Sequence, residues 1–205
     1  MDTFSIAFVC TGNRFRSVLA EAFMHRLTLG LPVTTESYGT LELDSAPALP
    51  EAVELARSYG LDVSRHATRC VAGAPLAEAG LLIGFDSSHV REAVVRAQAP
   101  RNRSFTMREL ARLLDDVTLP DEAGVVARAR RAVELAAALR EDQPPRLADD
   151  MADPLGSPWK VFGETAAEIR ELSLRLAASL FGVTDARGLP AAPGKPLRRA
   201  RTWRR

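Results

Sequence analysis

Only two cysteines, Cys10 and Cys70, occur in this 205-residue chain. That excludes a disulfide framework and points to a reducing compartment, the cytoplasm. No apolar run approaches the roughly 20 residues a membrane-spanning helix needs. The N-terminus has no basic region followed by an apolar stretch, so no signal peptide is expected. Neither sign of charge dominates: 27 Lys and Arg stand against 26 Asp and Glu, a formal net charge of +1. The balance is uneven all the same. Residues 183–205 hold seven basic residues against the single acid Asp185, a surplus of +6, so residues 1–182 carry −5. A mildly acidic body thus bears a basic tail rich in Pro, Gly and Arg. That composition predicts flexibility, and its charge alone would suit an anionic partner, nucleic acid or membrane surface.

Hydrophobic residues make up 46% of the chain and charged residues 26%, usual for a globular protein. The length suffices for one well-buried domain plus the tail. Apolar runs predict strands over 4–9, 33–38, 81–85 and 103–106. Helical spacing predicts helices over 18–29, 51–59 and 164–181. Asp86 reads as the N-cap of a further helix running to Ala97, with His89 expected at the surface. Thr106 and Glu109 have capping-box spacing for a helix to about Leu114. Strand and helix therefore alternate, the pattern of a parallel α/β fold. In such sheets ligands sit beyond the carboxyl ends of the strands, near a topological switch point. Cys10 and Ser37 both fall at strand ends.

The richest stretch runs from Thr3 to Ser17. An apolar strand ends abruptly at Cys10, a short turn holds Gly12 and Asn13, and Arg16-Ser17 opens a good helix-forming run. The first N–H groups of a helix lack partners, and its dipole favours negative charge there. Gly12 can take positive φ and Asn13 tolerates it, so successive N–H groups can curl into a nest around a tetrahedral oxyanion. Arg16 offers a planar fork matched to two phosphate oxygens. The same positive field favours a reactive thiolate at Cys10, and Ser17 can donate its hydroxyl to that sulfur.

The run Cys10-Thr11-Gly12-Asn13-Arg14-Phe15-Arg16-Ser17 resembles the phosphate-binding loop of the low-molecular-weight protein tyrosine phosphatases, whose signature is Cys-x5-Arg-Ser. The resemblance implies a single α/β domain with a four-stranded parallel sheet flanked by helices and the phosphate-binding loop after the first strand. It also implies a phosphocysteine intermediate, no cofactor and no metal. Two further segments resemble the family. Gly60 to Arg69 contains the family's Gly-apolar-x4-His-x2-Arg pattern, which makes Asn13, Ser17, Ser37 and His66 the candidates for a hydrogen-bond network shaping the loop. Asp153-Pro154-Leu155-Gly156 resembles the Asp-Pro-x-Gly acid loop, with Pro154 holding Asp153 extended; the neighbouring Asp149 and Asp150 lack the proline. The implied mechanism uses Cys10 as nucleophile, Arg16 and the loop N–H groups as phosphoryl holders, and Asp153 as acid and then base. Thr11 to Ser17 would line the substrate.

The chain departs from the family pattern at four places. Phe15 stands where many members have a second loop cysteine, so a neighbouring disulfide cannot protect Cys10 at that spacing. Cys70 reads as a buried structural thiol. Arg14 replaces an apolar residue and makes the mouth more positive, and Leu155 and Leu41 stand where aromatic walls are common. A helical run over 124–139, with Val126, Ala129, Val133, Ala136 and Leu139 on one stripe, has no counterpart in shorter members; it reads as an extra packing helix or, alternatively, a lid. The expected domain spans 1–182 with this insertion near 120–148, followed by the tail. The function expected is hydrolysis of phosphomonoesters, phosphotyrosine in proteins first among them. Arsenate reduction by one cysteine and an external thiol, or binding of phosphorylated ligands without turnover, are the alternatives.

Overall fold

A computed structural model describes residues 2–115, 117, 119 and 124–191. Four strands, β1 (Phe4–Cys10), β2 (Val33–Gly39), β3 (Leu81–Gly84) and β4 (Ser104–Thr106), form one sheet in the order β2-β1-β3-β4. Every neighbouring pair is parallel. The chain winds outward from β1 to β2, then returns to build β3 and β4 on the other side. The winding therefore reverses at β1, and the crevice this creates lies beyond Cys10.

Side chains alternate across β1 as a buried strand requires. Phe4, Ile6, Phe8 and Cys10 enter the larger core, shared with α1 (Arg16–Leu27), α2 (Pro50–Ser58), α4 (Met107–Leu114), α5 (Val125–Asp142) and α6 (Trp159–Phe181). Ala7 and Val9 face the opposite side with Ala93 and Ala97 of α3 (Ser87–Ala97). The α6 helix starts five residues earlier than its spacing suggests, directly after Pro158, and carries Gly163 inside its second turn. Its buried stripe runs through Phe162, Ala166, Ile169, Leu172, Leu176 and Leu180. Gly182 ends it at φ 70°. Both expected capping residues, Asp86 and Thr106, accept bonds from the first turns of α3 and α4.

The α5 helix packs on α6 and α4 through Ala129, Ala132, Val133 and Ala136. Small residues let the helices approach closely. Arg130 bridges Asp2 at the start of the chain. Arg140 clasps Glu109 with contacts of 2.8 and 3.1 Å, donates to the Ser104 carbonyl and lies over the Phe105 ring. Those anchors make α5 a packing element, and it lines no part of the cavity beyond β1. The tail expected from 183 onward begins differently: Val183 and Leu189 are buried in the core, and Arg187 reaches the Leu29 carbonyl. Residues 192–205, with most of the basic charge, lie outside the described residues. Among the described residues no helix is long and apolar enough to cross a membrane.

His89 is a correction to the sequence reading. It is only 1% exposed, not at the surface. As the third residue of α3, its Nδ1 accepts the N–H groups of Asp86 at 3.2 Å and Phe85 at 3.4 Å. Local pattern alone cannot separate this from a solvated helical histidine, because the burial comes from distant elements. Burial pushes its pKa down to about 4, against the pull of the Asp86 carboxylate.

Two measurements test this account. Arg140→Ala leaves the Glu109 carboxylate, 2% exposed, without its cation, and should cost about 2–4 kcal/mol in urea unfolding. No measurable loss would show that α5 is held by other means. For His89, the unfolded ring binds its proton near pH 6.5 and the native ring only near 4. Between those values the unfolded state holds more protons, so stability must fall as the pH drops through that window, by roughly 3 kcal/mol in total. Burial lowers His66 too, with the same sign. The non-titrating His89→Asn variant should show a shallower pH dependence of unfolding there; equal slopes would contradict a buried neutral ring.

Candidate active site

Cys10 ends β1 and is 3% exposed. Its sulfur accepts the Asn13 N–H at 3.2 Å and lies 3.1 Å from the Ser17 hydroxyl. The chain curls round it into α1, whose N-terminus has no side-chain cap. Among the described residues the N–H groups of Gly12, Arg14 and Phe15 have no protein acceptor. Those of Arg16 and Ser17 open the helix and have no intrahelical one. A ring of donors therefore surrounds the sulfur. The left-handed turn falls at Asn13, φ 49°, and not at Gly12, whose φ is not positive. Gly39 is the residue without room: a Cβ there would meet the Thr11 carbonyl oxygen at 3.0 Å and the Asn13 backbone nitrogen at 3.1 Å.

The expected network of Asn13, Ser17, Ser37 and His66 is assembled. Asn13 Nδ2 donates to Ser17 Oγ and Ser37 Oγ, each at 2.9 Å, while Oδ1 accepts the Arg69 N–H at 2.9 Å. His66 Nε2 donates to the Asn13 carbonyl at 2.7 Å. With its oxygen filled by Asn13, the Ser17 hydroxyl has its proton free for the Cys10 sulfur. Ser37 in turn donates to Glu21. Glu21 was not among the sequence candidates; its position four residues after Ser17, one helical turn along α1, was the available signal.

The Arg16 guanidinium is 2% exposed. Nη1 donates to the Met151 carbonyl at 2.9 Å and lies 3.9 Å from Asp86; Nη2 reaches Thr11 Oγ1 at 3.2 Å and Asp153 Oδ2 at 2.5 Å. The acid loop is thus tied to the phosphate loop across 137 residues. Pro154 is buried behind the carboxyl, and the second carboxyl oxygen accepts the Leu155 N–H at 3.1 Å. Asp149 and Asp150 are engaged elsewhere, by Arg112 and by Ser87. His89 joins the site as well, with Nε2 2.9 Å from Thr11 Oγ1.

A cavity of about 260 Å³ opens over the loop. Cys10, Thr11, Gly12, Arg14 and Arg16 line its floor, with Asp153 at one edge and Leu41, Leu43, Leu49 and Leu155 as walls. Phe15 also lines it, although its ring is mostly buried and stacked edge-on against Phe162. Arg14 Nε is anchored to the Pro47 carbonyl at 2.8 Å, and no carboxylate of the described residues pairs with its guanidinium. Cys70 is partly exposed, not buried. It pairs with Gly39 on the edge opposite Cys10. The two cysteines are therefore two strand spacings apart, roughly 9–10 Å, beyond the reach of a disulfide. Among the described residues no group of three His, Cys, Asp or Glu side chains converges to hold a metal ion.

Residues 5–124 match the family model described as low molecular weight phosphotyrosine protein phosphatase. The chain is 35% identical over 132 residues to a low molecular weight protein-tyrosine-phosphatase of Streptomyces coelicolor, covering 58% of this chain and 77% of that protein. It is 30% identical over 106 residues to a probable enzyme of the same kind, EpsP, from Ralstonia nicotianae, covering 52% and 72%. In three dimensions it is similar to the low molecular weight protein tyrosine phosphatase from T. tengcongensis, with 28% identity, a TM-score of 0.61, and 85% and 97% of the two chains covered. The arginine phosphatase YwlE from Geobacillus stearothermophilus, at 22% identity and a TM-score of 0.63 over 86% of this chain and 92% of that one, shares the fold. With its cysteine buried at the base of the phosphate loop, the chain belongs to the low molecular weight phosphotyrosine protein phosphatase family and is a cysteine-based phosphatase.

Proposed function

We propose that the protein hydrolyses phosphotyrosine in proteins through a phosphocysteine on Cys10. The observation that carries this reading is the placement of one sulfur, one guanidinium and one carboxyl on a single cavity, with the unpartnered N–H groups between them. The thiolate of Cys10 attacks phosphorus in line. Arg16 and the free N–H groups of Gly12 and of residues 14 to 17 hold the equatorial oxygens and stabilise the charge they carry in the transition state. Asp153, in its protonated form, gives its proton to the tyrosyl oxygen as the P–O bond breaks. The ionised carboxylate then takes a proton from water, which attacks the phosphocysteine and releases phosphate. Ser17 stabilises the departing thiolate, and Asn13, Ser37 and His66 hold the loop open.

The substrate class rests on the cavity and on the relatives, which are named protein-tyrosine phosphatases. Leu41, Leu43, Leu49 and Leu155 give an aryl ring apolar walls. Arg14 adds a positive charge at the rim that favours acidic neighbours of the phosphorylated residue. The phosphatase unit is read as residues 1–182 together with the following segment that Val183 and Leu189 pack into the core, with α5 as its insertion. A thiolate nucleophile without a partner cysteine suits a reducing compartment, the cytoplasm. The basic residues beyond 191 are left as a contact for an anionic partner.

The test is turnover of an aryl phosphate and of a phosphotyrosyl peptide beside a phosphoseryl peptide. Cys10→Ser should abolish hydrolysis while phosphate still binds. Asp153→Asn should slow it roughly 10²- to 10⁴-fold, most strongly for poor leaving groups. Full activity of Cys10→Ser would end the covalent mechanism. Equal turnover of both peptides would end the tyrosine assignment.

A further inference from the structure

Thr11 carries a hydroxyl that the backbone-centred mechanism leaves unused. Its oxygen has two lone pairs and one proton. Arg16 Nη2, which can only donate, takes one lone pair at 3.2 Å. His89 takes the other. Two backbone N–H groups, of Phe85 and Asp86, point at Nδ1 of His89; Asp86 Oδ2 also lies 3.2 Å from Nδ1, but the two donors already occupy that nitrogen, so Nδ1 carries the lone pair and the ring proton sits on Nε2. That nitrogen, 2.9 Å from Thr11 Oγ1, therefore donates to it. Burial keeps the ring neutral. Both acceptor positions of the hydroxyl are occupied, and no protein acceptor for its proton is found among the described residues. Thr11 lines the same cavity as Cys10 and Asp153, and the Arg16 nitrogen it accepts from is also the one bonded to Asp153.

We propose that the Thr11 hydroxyl donates its proton in a hydrogen bond to an oxygen of the transferring phosphoryl group on the Asp153 side, and that buried His89 aims it. Thr11 is then a catalytic residue of the side-chain kind, added to the N–H nest. His89 is a positioning residue that never touches substrate and acts only by filling the lone pair that would otherwise let the hydroxyl rotate. This rests on the phosphatase reading above. A donor aimed where charge accumulates is worth more in the transition state than in the ground state. Its loss should therefore appear in kcat and leave KM nearly unchanged.

The experiment uses the full chain and p-nitrophenyl phosphate, with kcat and KM measured separately and folding checked by thermal unfolding. Thr11→Val keeps the β-branched shape and removes only the hydroxyl; it should lower kcat roughly 10- to 100-fold. Thr11→Ser restores the donor and should stay within about threefold of the parent. His89→Asn leaves an acceptor for the N–H groups at the start of α3 but withdraws the donor from Thr11; it should lower kcat by about 5- to 10-fold. In the Thr11→Val background the same His89 substitution should change kcat less than about twofold, because residues that act through one another are not additive. A Thr11→Val enzyme with the parent kcat would overturn the proposal. So would a His89→Asn effect of undiminished size in the Thr11→Val background, which would mark His89 as structural only. If His89→Asn does not fold, the Thr11→Val and Thr11→Ser pair decides alone. Loss of the phosphatase reading looks different: it would be a parent protein without turnover, or one whose turnover survives Cys10→Ser.

Discussion

The carboxamide of Asn13 is the part on which the rest of the site depends. The residue sits at φ 49°, a conformation that costs a non-glycine residue energy unless its surroundings hold it. Here every polar atom of the side chain is engaged, two bonds given and one received, and the carbonyl is gripped by His66. The turn is thereby fixed in the shape that points the loop N–H groups inward. The partners come from three elements: Ser17 from α1, Ser37 from β2, Arg69 and His66 from the segment after α2. The phosphate loop is therefore not a local motif completed by its own eight residues. It is a knot that closes only when the sheet and the crossovers on both sides of β2 have formed.

The sheet supplies the other constraint. In the β1–β2 register Cys10 stands beside Gly39, and the space over Gly39 is filled by Thr11 and Asn13 backbone atoms. Any side chain there would push the loop outward. The same glycine bonds on its other edge to Arg69 and Val71, so one residue without a side chain joins the loop to the strand-like segment that orders Asn13. Close packing of this kind transmits shape from the sheet to the anion site without any additional bond.

Much of this was legible in the sequence, and the reasons are physical. The apolar run ending at Cys10 and the spacing of Arg16 and Ser17 are local signals, as are the caps at Asp86 and Thr106; each depends on neighbours within four residues. Resemblance carried Asn13, Ser37, His66 and Asp153. What was missed depends on distant contacts. His89 looks like any polar residue in a first helical turn, and only the 78 residues separating it from Thr11 decide that it is buried. Glu21 belongs to the site through Ser37 on another strand. The left-handed turn falls at Asn13, one of the two residues the sequence offers for it, where side-chain bonds outweigh the greater intrinsic freedom of Gly12. Asp153 lies beyond residue 124, where the family model's match ends; the α5 helix between them stays clear of the cavity, anchored instead to Asp2 and Glu109.

One contact has a thermodynamic side. The Arg16 nitrogen bonded to Asp153 at 2.5 Å faces the cavity that receives the phosphoryl group. A dianion entering that cavity competes with the carboxylate for the same cation, and two negative groups around one guanidinium repel each other. The salt link between the two loops is therefore a latch: an anion in the cavity draws on the cation that holds it, and the link ties the phosphate loop to a carboxylate 137 residues along the chain.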